Sequence, residues 1–289
     1  GTGDERHGDY IKGSPCPLVD LIQPKMEALL VKNAGERGAI YNFNTEYVSH
    51  VQDEHGVTAT FLNLITQTEF TLRAKYLVGM DGARSKVVEQ LGLPLEGIMA
   101  RAGTVYVTFK ADLSKYVQHR PAILQWIVNP EASFGDLGMG LLRAITPWNE
   151  WIMGWGFDIS KGEPQVTEEQ VRTRLNTIVG VEVADEKKQK LSYWYVNQTW
   201  ATEYAKGRVF CGGDAVHRHP PSSGLGSNTC MQDAFNLGWK LAYAVKGWAA
   251  PTLLESYTTE RAPVGKQIVA RANQSRFDYK HLKDVFGFD

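Results

Sequence analysis

Apolar positions along this chain follow two periods, and the switches between them mark its elements. After Pro24, Met26, Leu29, Leu30 and Ala34 recur at helical spacing. They predict a helix over about 24–34, stopped by Gly35 or Gly38. Val57, Ala59 and Phe61 alternate with Thr58 and Thr60, which predicts a half-buried strand. With runs at 45–52 and 69–74 it forms a meander, turned through residues 53–56. Tyr76–Met80 reads as a strand, Asp81-Gly82 as a sharp turn, and the residues after Ser85 as a helix. Strands are predicted at 104–110, 123–128, 138–144, 151–158 and 191–197. A helix over 167–178 interrupts them, opened by the capping pattern Thr167-Glu168-Glu169-Gln170. Arg208–Cys211 reads as a short core strand. A helix starts near Ser227–Asn228, with Met231, Ala234, Gly238, Leu241 and Val245 on one face.

The stretch from Gly207 to Leu241 carries the densest candidate chemistry. Gly212 and Gly213 permit positive φ or close approach of a ligand. Asp214 then stands at the C-terminal end of a strand, where open α/β sheets bind ligands, and its carboxylate can accept hydrogen bonds from sugar-like hydroxyls. Beyond Pro220-Pro221, Gly224-Leu225-Gly226-Ser227-Asn228 leads into the helix. Unpaired amides there, with the positive end of the helix dipole, favour developing negative charge. The same segment is also consistent with an ordinary strand–loop–helix in which Asp214 is only a cap.

These residues resemble the "GD" motif of the single-component flavin aromatic hydroxylases, the para-hydroxybenzoate hydroxylase and phenol hydroxylase family. The resemblance implies that Asp214 contacts the ribityl chain of FAD. It places Pro221, Gly224, Gly226, Ser227 and Asn228 along the isoalloxazine. Tyr76 through Val88 resembles the family's "DG" motif, which implies that Asp81 and Arg84 lie near FAD and the path of NADPH; an arginine meets phosphate bidentately. Gln23 stands where family members carry a glutamine close to the flavin. Three further segments, Tyr195–Gln198, Cys211–Asn228 and Arg101–Tyr106, are most similar to the chlorophenol hydroxylases.

The resemblance implies an FAD-dependent, NADPH-using monooxygenase. It would hydroxylate a phenol, of the chlorophenol type, ortho to its hydroxyl by way of a flavin C4a-hydroperoxide formed with O2. The catalytic base is unknown; His217 is a local alternative left outside the catalytic set. Trp126, Met139, Met153 and Trp155 are the candidate substrate lining, because an apolar aromatic pocket suits a flat phenol. The rival readings are another hydroxylase of aromatics or polyketides, a flavin halogenase or lipid reductase on the same scaffold, and an inactive FAD-domain fragment. The halogenase WxWxIP signature has its nearest counterpart in Trp155-Gly156-Phe157-Asp158-Ile159, which lacks the second tryptophan and the proline.

Composition narrows the partners. The 289 residues carry a net charge of −1 with no long run of one sign, which argues against a nucleic-acid or anionic-membrane surface as the main partner. No stretch approaches the roughly 20 apolar residues of a membrane span. Three cysteines without CxxC spacing read as buried thiols in a reducing compartment, so a cytoplasmic location and no metal site are expected. A homodimer or homotetramer is compatible with these features.

The expected fold class is α/β (α+β). Residues 1–98 and 201–289 would form two parts of a Rossmann-like FAD-binding domain, and 99–200 a mixed-sheet substrate domain. The chain starts at Gly1, and no strand–GxGxxG–helix unit appears. The FAD domain is therefore expected to lack its N-terminal βαβ unit, as a partial sequence would.

Overall fold

A computed structural model of the chain describes residues 12, 13, 15, 16, 19–119, 121–129, 131, 139–180, 182, 183, 187–278 and 285. Helix α1 (Gln23–Glu36) has proline in its first turn, where the missing N–H costs nothing. It stops at Arg37. Of the two candidate glycines, Gly38 is the one that takes up left-handed geometry, at φ 95°. An antiparallel meander of β1 (Thr45–Gln52), β2 (Val57–Asn63) and β3 (Thr68–Ala74) follows. Asp53 closes the first turn by accepting from the His55 and Gly56 amides, and it pairs with Arg73.

β4 (Leu77–Gly79) leads through the Asp-Gly turn into α2 (Lys86–Leu91). Far along the chain, β10 (Ala205–Lys206) and β11 (Val209–Cys211) complete a second three-stranded sheet in the order β10-β11-β4. β11 runs parallel to β4, with Cys211 opposite Gly79, and Gly212 N–H donates to Gly79 O at 3.2 Å. The two aspartate-bearing turns, remote in sequence, thus leave neighbouring strands at the same end.

The third sheet has six strands in the order β12-β9-β5-β8-β7-β6. They are β5 (Leu95–Lys110), β6 (Leu124–Val128), β7 (Met139–Thr146), β8 (Glu150–Phe157), β9 (Lys187–Ala201) and β12 (His217–Arg218). The α+β class holds, but this sheet, expected to be mixed, is antiparallel in every described pairing. α3 (Ser114–Val117) is a single turn. α4 (Glu168–Val179) opens as predicted, on a capping box in which Thr167 and Gln170 exchange bonds of 2.9 and 3.2 Å.

β5 and β9 are 16 and 15 residues long, well beyond the predicted 104–110 and 191–197. A bulge between Ile98 and Ala102 interrupts the alternation that a sequence pattern relies on, while the pairing continues past it to Leu95 and Ala201. The pair therefore runs between two hydrophobic cores. One gathers Val87, Leu93, Ala201, Val209, Phe210 and Tyr257; the other gathers Val107, Phe109, Trp151, Met153 and Leu175. The expected boundaries at 98/99 and 200/201 fall inside these strands.

α5 (Gly226–Lys246) and α6 (Thr252–Asp278) pack side by side. α6 has no counterpart among the predicted elements, since Pro263 inside it reads as a breaker. The face expected to be buried on α5 is not. Met231, Ala234, Gly238 and Val245 are exposed, and Thr229, Asp233, Leu237 and Lys240 face inward instead. A polar ladder to α6 explains the reversal. Arg261 donates to Asp233 at 2.7 Å, Asn236 to Glu260 at 2.7 Å, and Lys240 to Ser256 at 2.7 Å and Glu260 at 2.8 Å. No helix among the described residues is long and apolar enough to cross a membrane.

The ladder makes the fold acid-sensitive. Hydrogen bonds from Asn236 and Lys240 bring the Glu260 carboxyl down to about 2. Burial alone would raise Asp233, but His217, Arg261 and the Gly213 amide outweigh it and hold the carboxyl below its ordinary value. A carboxyl depressed in the folded state stabilises it above the unfolded pKa, and that contribution is lost as pH falls through the folded value. The melting temperature should therefore drop as pH is lowered from about 4.5 toward 2. Glu260→Gln should lessen the drop; an identical acid slope in that variant, followed by circular dichroism, would refute this assignment.

Candidate functional site: the ends of two parallel strands

Asp214 lies in a single 3-10 turn, Gly213–Ala215, directly after β11. It is exposed although its neighbours Gly213, Ala215, Val216, His217 and Arg218 are all buried. Among the described residues its one side-chain hydrogen bond is accepted by Oδ1 from the Cys230 thiol at 3.8 Å, which leaves Oδ2 open to a ligand. The reading of Asp214 as a mere helix cap finds no support among the described residues, where the donor to its carboxylate is the Cys230 thiol and not a backbone amide.

α5 begins at Gly226 beside this carboxylate, as the Cys230–Asp214 contact requires. Its N-cap, Leu225, offers no side-chain acceptor. Among the described residues no side chain caps the first-turn amides of Gly226, Ser227 and Asn228, and the positive end of a 21-residue helix lies behind them. Asn228 turns its side chain back and donates to Gly224 O at 2.8 Å, which fastens the preceding loop. Gly224 sits at φ 64°, a conformation glycine adopts at no steric cost. Pro221 ends the stretch before that turn and is exposed.

Asp81 is placed differently. Its Oδ1 accepts from Ser85 Oγ at 2.5 Å and its Oδ2 from the Val87 amide at 3.2 Å. The carboxylate is engaged in opening α2, alongside the N-cap Ser85. Arg84, exposed between them, lies within electrostatic reach of Tyr195. Gln23 is the first residue of α1 and donates to Glu27 at 2.7 Å. No described contact joins it to Asp81 or Asp214.

Three residues outside the candidate site set, Arg218, Asp233 and Arg261, hold this site together. Arg218 is buried under the turn and donates to Asp214 O and Ala215 O, each at 3.0 Å. Burial lowers its pKa, while the charges of Asp214 and Asp81 act the other way, so the guanidinium lies within reach of both carboxylates. Asp233 is fully buried between His217 Nε2 at 2.8 Å, Arg261 Nε at 2.7 Å and the Gly213 amide at 3.0 Å. His217 is accordingly tied to Asp233 and not offered outward. The signal was present as polar residues inside an otherwise apolar packing pattern, but sequence cannot show which of them is buried.

Asp214, His217 and Cys230 bring one ligand atom each within 4.8 Å of one another. Burial, then Asp214 and Asp233, push the Cys230 thiol up to about 12. His217 Nε2 is engaged by Asp233 in this cluster. A separate cavity of about 320 Å³ lies at the start of β11, lined by Tyr76, Arg208, Phe210, Leu254 and Glu255. It is at the far end of that strand from Asp214.

An exposed carboxylate and the amides of a helix start form a complementary set of acceptor and donors for a polyhydroxylated, partly anionic ligand. The family model described as "FAD binding domain" matches residues 2–272. This chain belongs to that family. It is 47% identical to 2,4-dichlorophenol 6-monooxygenase of Delftia acidovorans, over 99% of the chain and 49% of the relative. It is 45% identical to phenol 2-monooxygenase of Pseudomonas sp. (strain EST1001), over 99% of the chain and 46% of the relative. Among solved structures it is similar to the flavin-dependent monooxygenase PieE in complex with FAD and substrate, with TM-score 0.91, 40% identity, and 99% and 49% of the two chains covered. The chain spans about half the length of the curated relatives it matches.

For an FAD-binding domain with this attached sheet, register decides which face any aromatic residue occupies. Met153 and Trp155 point, with Val105, Val107 and Leu142, into the core beneath α4. Trp126 lies opposite Leu141, which lies opposite Gly154, which lies opposite Tyr106. That row is one residue out of phase with Met153 and so belongs to the other face. The expectation that Trp126, Met153 and Trp155 share one cavity is therefore corrected: two are core and one is across the sheet. Met139 opens β7, and its side chain lies outside the described residues. Arg143, also on the Trp126 face, donates to both oxygens of Asp20 at 2.8 Å, three residues before Gln23.

Proposed function

We propose that this chain is the flavin-cradling part of an FAD-dependent monooxygenase that hydroxylates a phenol, with a chlorophenol as the favoured substrate. The exposed Asp214 carboxylate beside the start of α5 carries this reading. Bound FAD would supply the redox chemistry, taking electrons from NADPH and passing one oxygen atom of O2 to the ring. The chain's own residues do the rest. Asp214 accepts hydrogen bonds from the ribityl hydroxyls. Gly226, Ser227 and Asn228 present amides where the reduced ring carries negative charge, a donor arrangement worth most where water is excluded. Arg84 faces the phosphate-bearing cosubstrate. Similarity to the dichlorophenol and phenol monooxygenases supports the substrate class, and we propose hydroxylation next to the existing hydroxyl on the same likeness.

The row Trp126, Leu141, Gly154 and Tyr106 is the better substrate wall. It combines aromatic and aliphatic surface with one phenolic hydroxyl, and Gly154 puts no side chain between Leu141 and Tyr106. Burial raises the Tyr106 pKa, with Arg143 opposing it, so Tyr106 stays a neutral hydrogen-bond donor for a phenolic oxygen. Tyr106→Phe is expected to raise KM for the phenol several-fold with an unchanged melting temperature. Met153→Ala should do the reverse, costing about 2–5 kcal/mol of stability with little effect on KM. The opposite assignment of the two effects would return the substrate to the α4 side.

The reading as a whole is tested with the intact polypeptide. FAD should bind with a perturbed visible spectrum, and a phenol panel should stimulate NADPH oxidation with formation of a catechol. Hydrogen peroxide release without any hydroxylated product across the panel would count against it.

A further inference from the structure

We infer that Asp233 is a positioning residue that sets the distance between the two halves of the cradle; this rests on the FAD reading above. One half is the Asp214 carboxylate on its turn, and the other is the row of amides at the start of α5. Asp233 belongs to α5, and through one oxygen it holds the amide of Gly213, the residue directly before Asp214, at 3.0 Å. Gly213 sits at φ 62°, and a Cβ there would come within 3.3 Å of Cys230 Sγ on the same helix. The turn and the helix are thus in close contact, and one carboxylate fixes their spacing.

The rest of the environment keeps that carboxylate in place. Its other oxygen receives Arg261 Nε of α6 at 2.7 Å, and Arg261 also reaches Gln232 at 3.4 Å. His217 Nε2, two residues before His219 on the strand leaving the turn, meets the same oxygen as Gly213. Burying a carboxylate completely is costly, and an apolar side chain would fill the space more cheaply. What an apolar residue cannot do is bind the Gly213 amide and so define the conformation of the Asp214 turn. The pair Asp233–Arg261 joins α5 to α6, and the bond from Gly213 then transmits that fixed frame to the ligand-facing carboxylate.

The experiment uses the intact polypeptide and four variants: Asp233→Ala, Asp233→Asn, Arg261→Ala and Asp214→Ala. Three quantities are measured: the FAD dissociation constant by flavin fluorescence, the melting temperature without flavin, and amide exchange at Gly213. Asp233→Ala and Arg261→Ala both remove the interhelical ion pair and should lower the melting temperature comparably. Only Asp233→Ala frees the Gly213 amide. It should weaken FAD binding at least about tenfold and speed exchange at Gly213, while Arg261→Ala stays within about threefold of wild type. Asp233→Asn keeps a carbonyl for Gly213 and should bind FAD nearly normally despite a lowered melting temperature. Equal losses of affinity in the Asp233→Ala and Arg261→Ala variants would overturn the inference, as would unchanged affinity in Asp233→Ala. If Asp233→Ala does not fold, Asp233→Asn carries the test: affinity that falls in step with its melting temperature overturns the positioning role. Asp214→Ala separates the two levels, because unchanged FAD affinity there sinks the flavin reading itself.

Discussion

Gly97→Ala should be among the most destabilising single changes in the protein. The added Cβ would lie 1.9 Å from the carbonyl oxygen of Gln198, 3.0 Å from its carbonyl carbon and 3.1 Å from Thr199 Cα, and Gly97 sits at φ 105°. All three atoms are backbone of the neighbouring strand, held by pairing at Gly97↔Thr199 and Ile98↔Gln198, so no side chain can swing aside. Strain at that φ adds to the collision. Together they should cost more than about 3 kcal/mol, a fall in melting temperature of roughly 6–12 °C for a chain of this size. The loss should be cooperative because β5 and β9 run through both cores. Gly238→Ala is the matched control: it is mid-helix with no atom within 4 Å of the new methyl group, and should be neutral or stabilising by up to about 1 kcal/mol. A Gly97→Ala protein that melts within 2 °C of the parent, roughly the shift of a change under 1 kcal/mol, would mean the strand crossing is misplaced.

Asp214→Ala should be the most damaging single change for FAD affinity. Among the described residues the carboxylate's hydrogen-bond partner is a thiol at 3.8 Å, so its removal should cost little stability. What is lost is a charged acceptor for ligand hydroxyls, about 1.5–3 kcal/mol and hence roughly 10- to 150-fold in dissociation constant. Asp81→Ala provides the contrast. That carboxylate caps α2 through Ser85 and Val87, so its loss should cost about 1 kcal/mol of stability and a smaller share of affinity. Isothermal titration with FAD beside thermal melts distinguishes them; an Asp81→Ala protein that loses more affinity than Asp214→Ala would reverse the assignment.

Much of the site was legible because its chemistry is local. A short apolar run, two glycines, an aspartate, two prolines and a second glycine pair specify a strand, a turn and a helix start within about twenty residues. Each follows from the conformational limits of the residues themselves. The capping box at Thr167 and Gln170 was readable for the same reason. The burial of α5 was not, because Asp233 and Lys240 turn inward only when Arg261, Ser256 and Glu260 of α6 meet them. Nor was the face each aromatic takes, since a one-residue offset between β6 and β8 puts Trp126 across the sheet from Met153.

The sequence by itself determined the elements around Asp81 and Asp214, the glycines that bend them, and the polar character of the start of α5. It also carried the resemblance to flavin hydroxylases. Tertiary structure alone decided that β4 and β11 lie parallel and adjacent, that Asp214 is exposed while Asp81 is engaged in opening α2, and that Asp233 sits beneath the turn. The reason is physical: backbone preference and periodicity act over a few residues, whereas strand pairing, register and the pairing of buried charges depend on segments brought together only by folding.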